Sequence, residues 1–223
     1  MSRLLSAWRY RRRANTKAGS ECNIHAHYDL GNDFFRLFLD ESLSYSCACR
    51  PNGCEDLGEA QRDKLQDICD KLEIGTHHHV LEIGSGWGGF AIHVARTTGC
   101  RVTGITISRE QLELSRRRVE EAGLGGLVDI RYCDYRDVQG RFDRIVSIEM
   151  FEAVGRDYWR PFFEICERVL SSGGRMLLQT IAIPASTRRT VARDGSAVTY
   201  FRAVCFRPCA RSRQQPRRPE GIS

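Results

Sequence analysis

Apolar positions along this chain follow two alternating rhythms. Short continuous runs, such as Val80-Leu81-Glu82-Ile83, read as buried strands, and stretches with apolar residues three and four apart read as helices. The pattern predicts a helix over 24–40, with Tyr28, Leu30, Phe34, Phe35, Leu37, Phe38 and Leu39 giving it a broad apolar face. A loop follows over 41–54, then an amphipathic helix over 55–73 carrying Leu57, Ala60, Leu65, Ile68 and Leu72 on one side. Strands are expected at 79–83, 101–105, 127–132, 142–148 and 175–183, with helices at 88–97, 108–122 and 158–170 between them. Ser108, followed by Glu110 and Gln111, reads as a helix cap, and Gly123 as a stop. Ser171-Ser172-Gly173-Gly174 should end the last helix. This alternation is that of an α/β protein, a mostly parallel sheet with helices on both faces. Ligands of such sheets sit beyond the carboxyl ends of the strands.

The first strand runs into Gly84-Ser85-Gly86-Trp87-Gly88, three glycines at every second position. Glycine has no Cβ to hold a ligand away from the backbone, and the helix that follows points its first N–H groups back at the turn. The spacing G-x-G-x-G differs from the G-x-G-x-x-G of dinucleotide sites. With Glu82 two residues ahead, it suits S-adenosylmethionine (SAM) better than NAD.

Composition narrows the setting. The 223 residues allow one full domain, and 41% hydrophobic content is compatible with a packed core. No apolar run approaches the ~20 residues that span a bilayer. The arginine-rich start, Met1 to Lys17, lacks the apolar core of a signal peptide, so a cytoplasmic protein is expected. The ten cysteines are scattered through apolar segments, and Cys69, Cys100, Cys133 and Cys166 read as buried free thiols. Cys47-Ala48-Cys49 lacks zinc-site spacing, and His77-His78-His79 reads as a solvated turn, so no metal is expected. Residues 1–20 hold six Arg or Lys and no acid, and 185–223 hold nine Arg against two acids. With a net charge of +6, the stretch between them is negative. Basic ends could meet an anionic surface or simply be solvated, and the solvated reading is preferred for 185–223.

Candidate chemistry lies at the strand ends. Asp134 can accept from an exocyclic amine, and the flat ring of Tyr135 can stack on adenine. Thr106 and Gln111, after the second strand, can grip a ribose or an amino-acid moiety. Glu149 and Glu152 stand at the mouth of an apolar sheet, where a carboxylate is costly without a partner.

These pieces resemble one family. His27-Tyr28-Asp29-Leu30-Gly31-Asn32-Asp33-Phe34-Phe35, Leu43-Ser44-Tyr45-Ser46-Cys47-Ala48, Leu81 to Gly88, Gly104 to Gln111, Glu149 to Gly155 and Leu177 to Ile181 are similar, in order and spacing, to the cyclopropane fatty acid synthases and mycolic acid cyclopropane synthases. The resemblance covers about residues 20–184 and implies a Rossmann-like SAM-dependent methyltransferase fold. It implies that a cis double bond of an unsaturated phospholipid acyl chain attacks the SAM methyl, and that proton loss closes a cyclopropane. It implies SAM contacts at Tyr45, Ser46, Glu82, Gly84, Gly86, Gly88, Thr106, Gln111, Asp134 and Tyr135. It also implies a bicarbonate ion as proton acceptor, held by Cys47, Glu152 and Ile181, with Gln179 where many members have histidine. The expected setting is the membrane surface, reached without a transmembrane segment, and no nucleic acid is expected as partner. Two other readings stand: methyl transfer to a small amine, as in coclaurine-type relatives, and a SAM-binding product without turnover.

After Pro184 the pattern departs from the family. Members continue with Tyr-Ile-Phe-Pro-Gly-Gly and a further bicarbonate-binding tyrosine, whereas this chain turns rich in Arg, Ala and Cys. From Val198 to Cys209, codons read from their third base permit Tyr-Ile-Phe-Pro-Gly-Gly-Leu-Leu-Pro-Ser-Leu. That implies a change of reading frame near 185–189, and sequencing of the coding DNA should show the family's segment in the neighbouring frame. The expected organisation is a basic arm over 1–20, the methyltransferase domain over 21–184 with a helical cap at 21–75, and a non-homologous, disordered tail over 185–223. The C-terminal part of the fold would then be incomplete.

Overall fold

The computed structural model describes residues 31–48, 55–182 and, for the backbone, 200–206. The basic arm, the start of the helix expected at 24–40 and most of the tail lie outside the described residues. From Gly31 onward that helix is short: α1 spans Asn32–Arg36, and the chain turns away at Leu37. The Asp40 carboxylate accepts from the Ser42 backbone N–H at 3.0 Å and from the Ser42 hydroxyl at 2.9 Å, which fixes a turn at the start of the expected loop. Phe35, buried, packs with Leu43, Trp87 and Leu114.

The remaining elements follow the hydrophobic rhythm. Helix α2 spans Leu57–Lys71, opened by Asp56, whose side chain accepts from the Glu59 N–H. Then come β1 (His79–Ile83), α3 (Gly89–Thr98) and β2 (Arg101–Thr106). They are followed by α4 (Arg109–Glu121), β3 (Val128–Tyr132), β4 (Phe142–Ile148), α5 (Trp159–Val169) and β5 (Leu170–Ala182). The Ser108 hydroxyl caps α4 by accepting from Gln111 N–H at 3.2 Å, as its sequence predicts. β5 starts five residues earlier than expected, directly from the end of α5. Leu170 pairs with Phe142, and the irregular stretch around Gly173, at φ 74°, is absorbed as a register shift before Arg175 pairs Arg144.

The sheet order is β3-β2-β1-β4-β5-β6, parallel from β3 to β5. Alternation along the strands sorts their side chains to two faces. Val80, Val102, Val146 and Leu177 pack with α2, α3 and α4, whereas Leu81, Ile105, Ile145 and Leu178 pack with α5. β1 lies at the centre, between β2 and β4, so the connections leaving its two neighbours run in opposite directions. The crevice at its carboxyl end is the site such a sheet offers a ligand.

The expectation of a tail without regular structure does not hold over 200–206. Tyr200–Phe206 forms β6, antiparallel to β5, with Met176 opposite Phe206 and Ala182 opposite Tyr200. The segment is rich in aromatic and β-branched residues, which suit a pleated strand, and β5 would otherwise present an open row of backbone N–H and C=O groups there.

Candidate active site

A cavity of about 880 Å³ opens at the carboxyl ends of β1, β2 and β4. Its floor is the glycine turn. Gly84 and Ser85 both donate backbone N–H bonds to Ile105 O, at 3.0 and 2.9 Å, which bends the chain sharply off β1. Gly84 and Gly86 hold φ of 85° and 51°, and a Cβ on Gly84 would lie 2.8 Å from Met150 Cγ. A side chain at Gly84 is therefore barred by both conformation and space. Gly88, also in the left-handed region, caps α3 and sits against Ser115 rather than lining the cavity.

The roof is the strap 43–48. Tyr45 is half exposed, its ring edge-on to Phe35 with centroids 5.2 Å apart. Two polar residues of α2 fasten the strap. Gln61 Nε2 donates to Ser46 O at 2.9 Å and to Ser44 O at 3.3 Å, and Lys64 Nζ donates to Ser46 Oγ at 2.7 Å. Lys64 is only 1% exposed. Its ammonium also acts on Glu82, a fully buried carboxyl held well above its usual range by desolvation and eased by the Ala91 backbone N–H and Lys64. Neither Lys64 nor Gln61 was among the site residues expected from sequence. The available signal was Lys64 itself, a charge at four residues from both Ala60 and Ile68, inside the apolar stripe of its helix.

On the β2 and β3 side, Thr106 Oγ1 donates to Gln111 Oε1 at 2.9 Å, and both residues line the cavity. Asp134 lies there too, but its carboxylate already takes a two-pronged bond from Arg136, with Nε to Oδ1 at 2.7 Å and Nη2 to Oδ2 at 2.5 Å. The Tyr135 ring lines the cavity and is also part of the core. It is buried, edge-on to Phe162 of α5 at 5.3 Å, and belongs to the core on that face. The short 3₁₀ turn over Tyr135–Asp137, capped by Asp134, carries the ring there. Its hydroxyl has no hydrogen-bond partner among the described residues.

The β4 and β5 side gathers two carboxylates. Glu149 has φ 48°, a conformation that costs a bulky residue about 1–3 kcal/mol and persists only where its surroundings impose it. Those surroundings are specific. Glu149 N–H donates to Gln179 O at 2.8 Å, and Glu149 Oε1 accepts from Gln179 Nε2 at 2.9 Å and from Cys47 N–H at 3.0 Å. Glu152 Oε1 accepts from Thr180 Oγ1 at 2.8 Å and from the Ile181 N–H. Cys47, Glu149, Glu152 and Ile181 line the cavity, and Gln179 stands behind Glu149. The structure thus brings together most of the residues expected from sequence.

Of the histidine run, His77 is exposed as expected, whereas His78 and His79 are built in. His78 Nδ1 accepts from Gly75 N–H at 2.8 Å, and His79 meets Thr103 Oγ1 at 2.9 Å. Cys69, Cys100 and Cys166 are buried free thiols, as expected, with Cys69 and Cys166 pushed up to about 12 by burial. Cys133 differs in being half-buried and lining the cavity.

A largely parallel sheet with helices on both faces, a glycine turn off its central strand and a cavity at that strand's end together define the Rossmann-like methyltransferase fold. The sequence profile described as mycolic acid cyclopropane synthetase matches residues 15–208, and the chain belongs to that family. It is 43% identical over 169 residues to tuberculostearic acid methyltransferase UfaA1 of Mycobacterium tuberculosis, covering 73% of this chain and 39% of that protein. It is 44% identical over 155 residues to the cyclopropane-fatty-acyl-phospholipid synthase of Escherichia coli, covering 70% of this chain and again 39% of the relative. The chain therefore spans about two fifths of these relatives. Among solved structures, mycolic acid cyclopropane synthase CmaA1, complexed with SAH and CTAB, superimposes with a TM-score of 0.72 at 32% identity, over 78% of this chain and 61% of that one. Coclaurine N-methyltransferase, bound to N-methylheliamine and SAH, gives 0.65 at 26% identity, over 70% and 45%.

Proposed function

We propose that this chain transfers the methyl group of SAM to the cis double bond of an unsaturated phospholipid acyl chain, at the cytoplasmic membrane face, and that the product is a cyclopropane fatty acid. The observation that carries this reading is the pair of carboxylates, Glu149 and Glu152, fixed in a cavity whose lining also includes the apolar residues Leu39, Leu65, Phe90, Ile148, Met150 and Ile181. A cation generated on a hydrocarbon needs fixed negative charge and the exclusion of water, and this arrangement supplies both. The family membership and the similarity to the Escherichia coli synthase support the same substrate class.

The residues fit SAM. The buried oxygen Glu82 Oε2 and the hydroxyls of Ser85 and Tyr135 have no hydrogen-bond partner among the described residues, and all three residues line the cavity. Glu82 would face the positive amino-acid end, with the strap residues Tyr45 and Ser46 closing over it. Thr106, Gln111 and Asp134 would hold the nucleoside. SAM supplies an electrophilic methyl carbon when bound. The chain orients it toward Glu149 and Glu152 and keeps water out with the strap. Among the described residues no helix is long and apolar enough to cross a membrane. Leu37 and Phe38 are exposed beside the cavity, which suits approach to a lipid surface.

A second reading, methylation of a small amine, is favoured by the likeness to coclaurine N-methyltransferase. Calorimetric titration with SAM, followed by mass analysis of unsaturated phospholipid vesicles and of an amine panel, separates the two. The expected result is SAM binding with a lipid mass gain of one methylene. A gain confined to amines would establish the second reading, and binding without any gain would leave a cofactor-binding protein without turnover.

A further inference from the structure

The groups that the family resemblance assigns to a bicarbonate ion are already engaged with the chain's own carboxylates. Cys47 N–H and Gln179 Nε2 both donate to Glu149 Oε1, at 3.0 and 2.9 Å. Ile181 N–H donates to Glu152. A bicarbonate ion on those donors would have to displace Glu149 and lie against two carboxylates, with the repulsion that like charges feel in a cavity screened from water. The two basic side chains lining the cavity face elsewhere: Lys64 bonds Ser46, and Arg136 bonds Asp134. The site does not fit a separate bicarbonate ion.

We propose that Glu149 is the base itself, its carboxylate standing where the ion would accept the Cys47 N–H. The inference rests on the acyl-chain reading above. The alkene electron pair forms a bond to the methyl carbon, and the carbon–sulfur bond breaks with its electrons on sulfur. The other alkene carbon is left positive. Glu149 removes a proton from the newly added carbon, and the freed electron pair closes the ring. The resulting carboxylic acid then passes its proton to water. The geometry suits the role. Both hydrogen bonds end on Oε1, and among the described residues none reaches Oε2. The backbone of Glu149 is fixed to β5 through Gln179 O. Gln179 donates an amide N–H that stabilises the carboxylate and cannot itself take the proton.

Two measurements on the full chain test this. Isotopically labelled bicarbonate is titrated with the protein and followed by NMR line broadening. Lipid turnover is measured with bicarbonate removed and restored. The wild type should neither broaden the signal nor respond to bicarbonate. Glu149→Gly, which suits the left-handed backbone and so should fold, empties the position. It should lose about 100-fold or more in turnover, bind labelled bicarbonate and regain part of its activity when bicarbonate is added. Bicarbonate binding by the wild type at least as tight as by Glu149→Gly, or wild-type turnover that falls on bicarbonate removal, would overturn the inference. Failure of the acyl-chain reading shows separately, as SAM binding without lipid mass gain, and the binding titration still decides whether Glu149 fills the anion position.

Discussion

Replacing Lys64 by methionine should lower the stability of the folded chain by about 1–3 kcal/mol, because the Ser46 hydroxyl loses its charged donor and buried Glu82 loses a compensating charge. That loss corresponds to a fall of roughly 5 °C in the melting midpoint. Lys64 is almost wholly buried and bonded to Ser46, and its charge acts on Glu82. The loss should depend on pH in a defined direction. Burial holds Glu82 above its ordinary value of 4.5, and the Lys64 ammonium works against that rise. A carboxyl raised in this way favours the folded state at low pH and loses that contribution as pH climbs through its folded value. Without Lys64 the rise is larger. The electrostatic part of the deficit should therefore be greatest at alkaline pH and fade as pH falls through the raised folded value of Glu82, being absent by pH 4.5, where Glu82 is neutral in the fold. The double variant Lys64→Met with Glu82→Gln should recover most of the loss at neutral pH. Thermal melts of the three proteins across pH check this; an equal deficit at every pH, with no recovery in the double variant, would assign the effect to packing alone.

Glu152→Gln should cut lipid turnover by about 100-fold or more while leaving SAM affinity close to that of the wild type. The substitution keeps shape and an oxygen for the Thr180 hydroxyl and the Ile181 N–H, and removes only the charge. In the proposed reaction Glu152 faces the developing cation and Glu149 removes the proton, so the two carboxylates do different work. Calorimetry separates the effects: weakened SAM binding to match the lost turnover would make Glu152 a cofactor ligand, and full turnover would remove it from the reaction.

The sheet and its glycine turn were legible in the sequence because continuous apolar runs of β1 and β4 and the capped periodicity of α4 leave few alternatives. Helix boundaries near α1 were not, since the apolar run of Phe34 to Leu39 continues past Arg36, where the helix ends. The side of a ring is equally hidden. Tyr135 follows Asp134 at a strand end, as a stacking residue would, and only the 3₁₀ turn shows that the ring lining the cavity also packs on Phe162 in the core. Glu149 could be suspected as a carboxylate at a cavity mouth. Its bonds to Cys47 and Gln179 join residues 102 and 30 positions apart, and only the folded backbone reveals them. The strand in 200–206 was missed because the arginines around it outweighed its own apolar run.

The placement of β1 also sets the order in which the molecule can be assembled. β1 meets β2 after a single helix, with Val80 opposite Val102, but meets β4 only after two helices and two further strands, with Val80 opposite Arg144. The first half of the sheet can close through short-range crossovers while the chain is still being made. The second half must close a long loop, the slow step in parallel sheets. Glu149, Glu152 and Gln179 belong to that second half and the glycine turn to the first. A newly synthesised chain therefore completes the floor of the cavity before the carboxylates of the proposed reaction arrive, and that reaction becomes possible only once the final strands have docked.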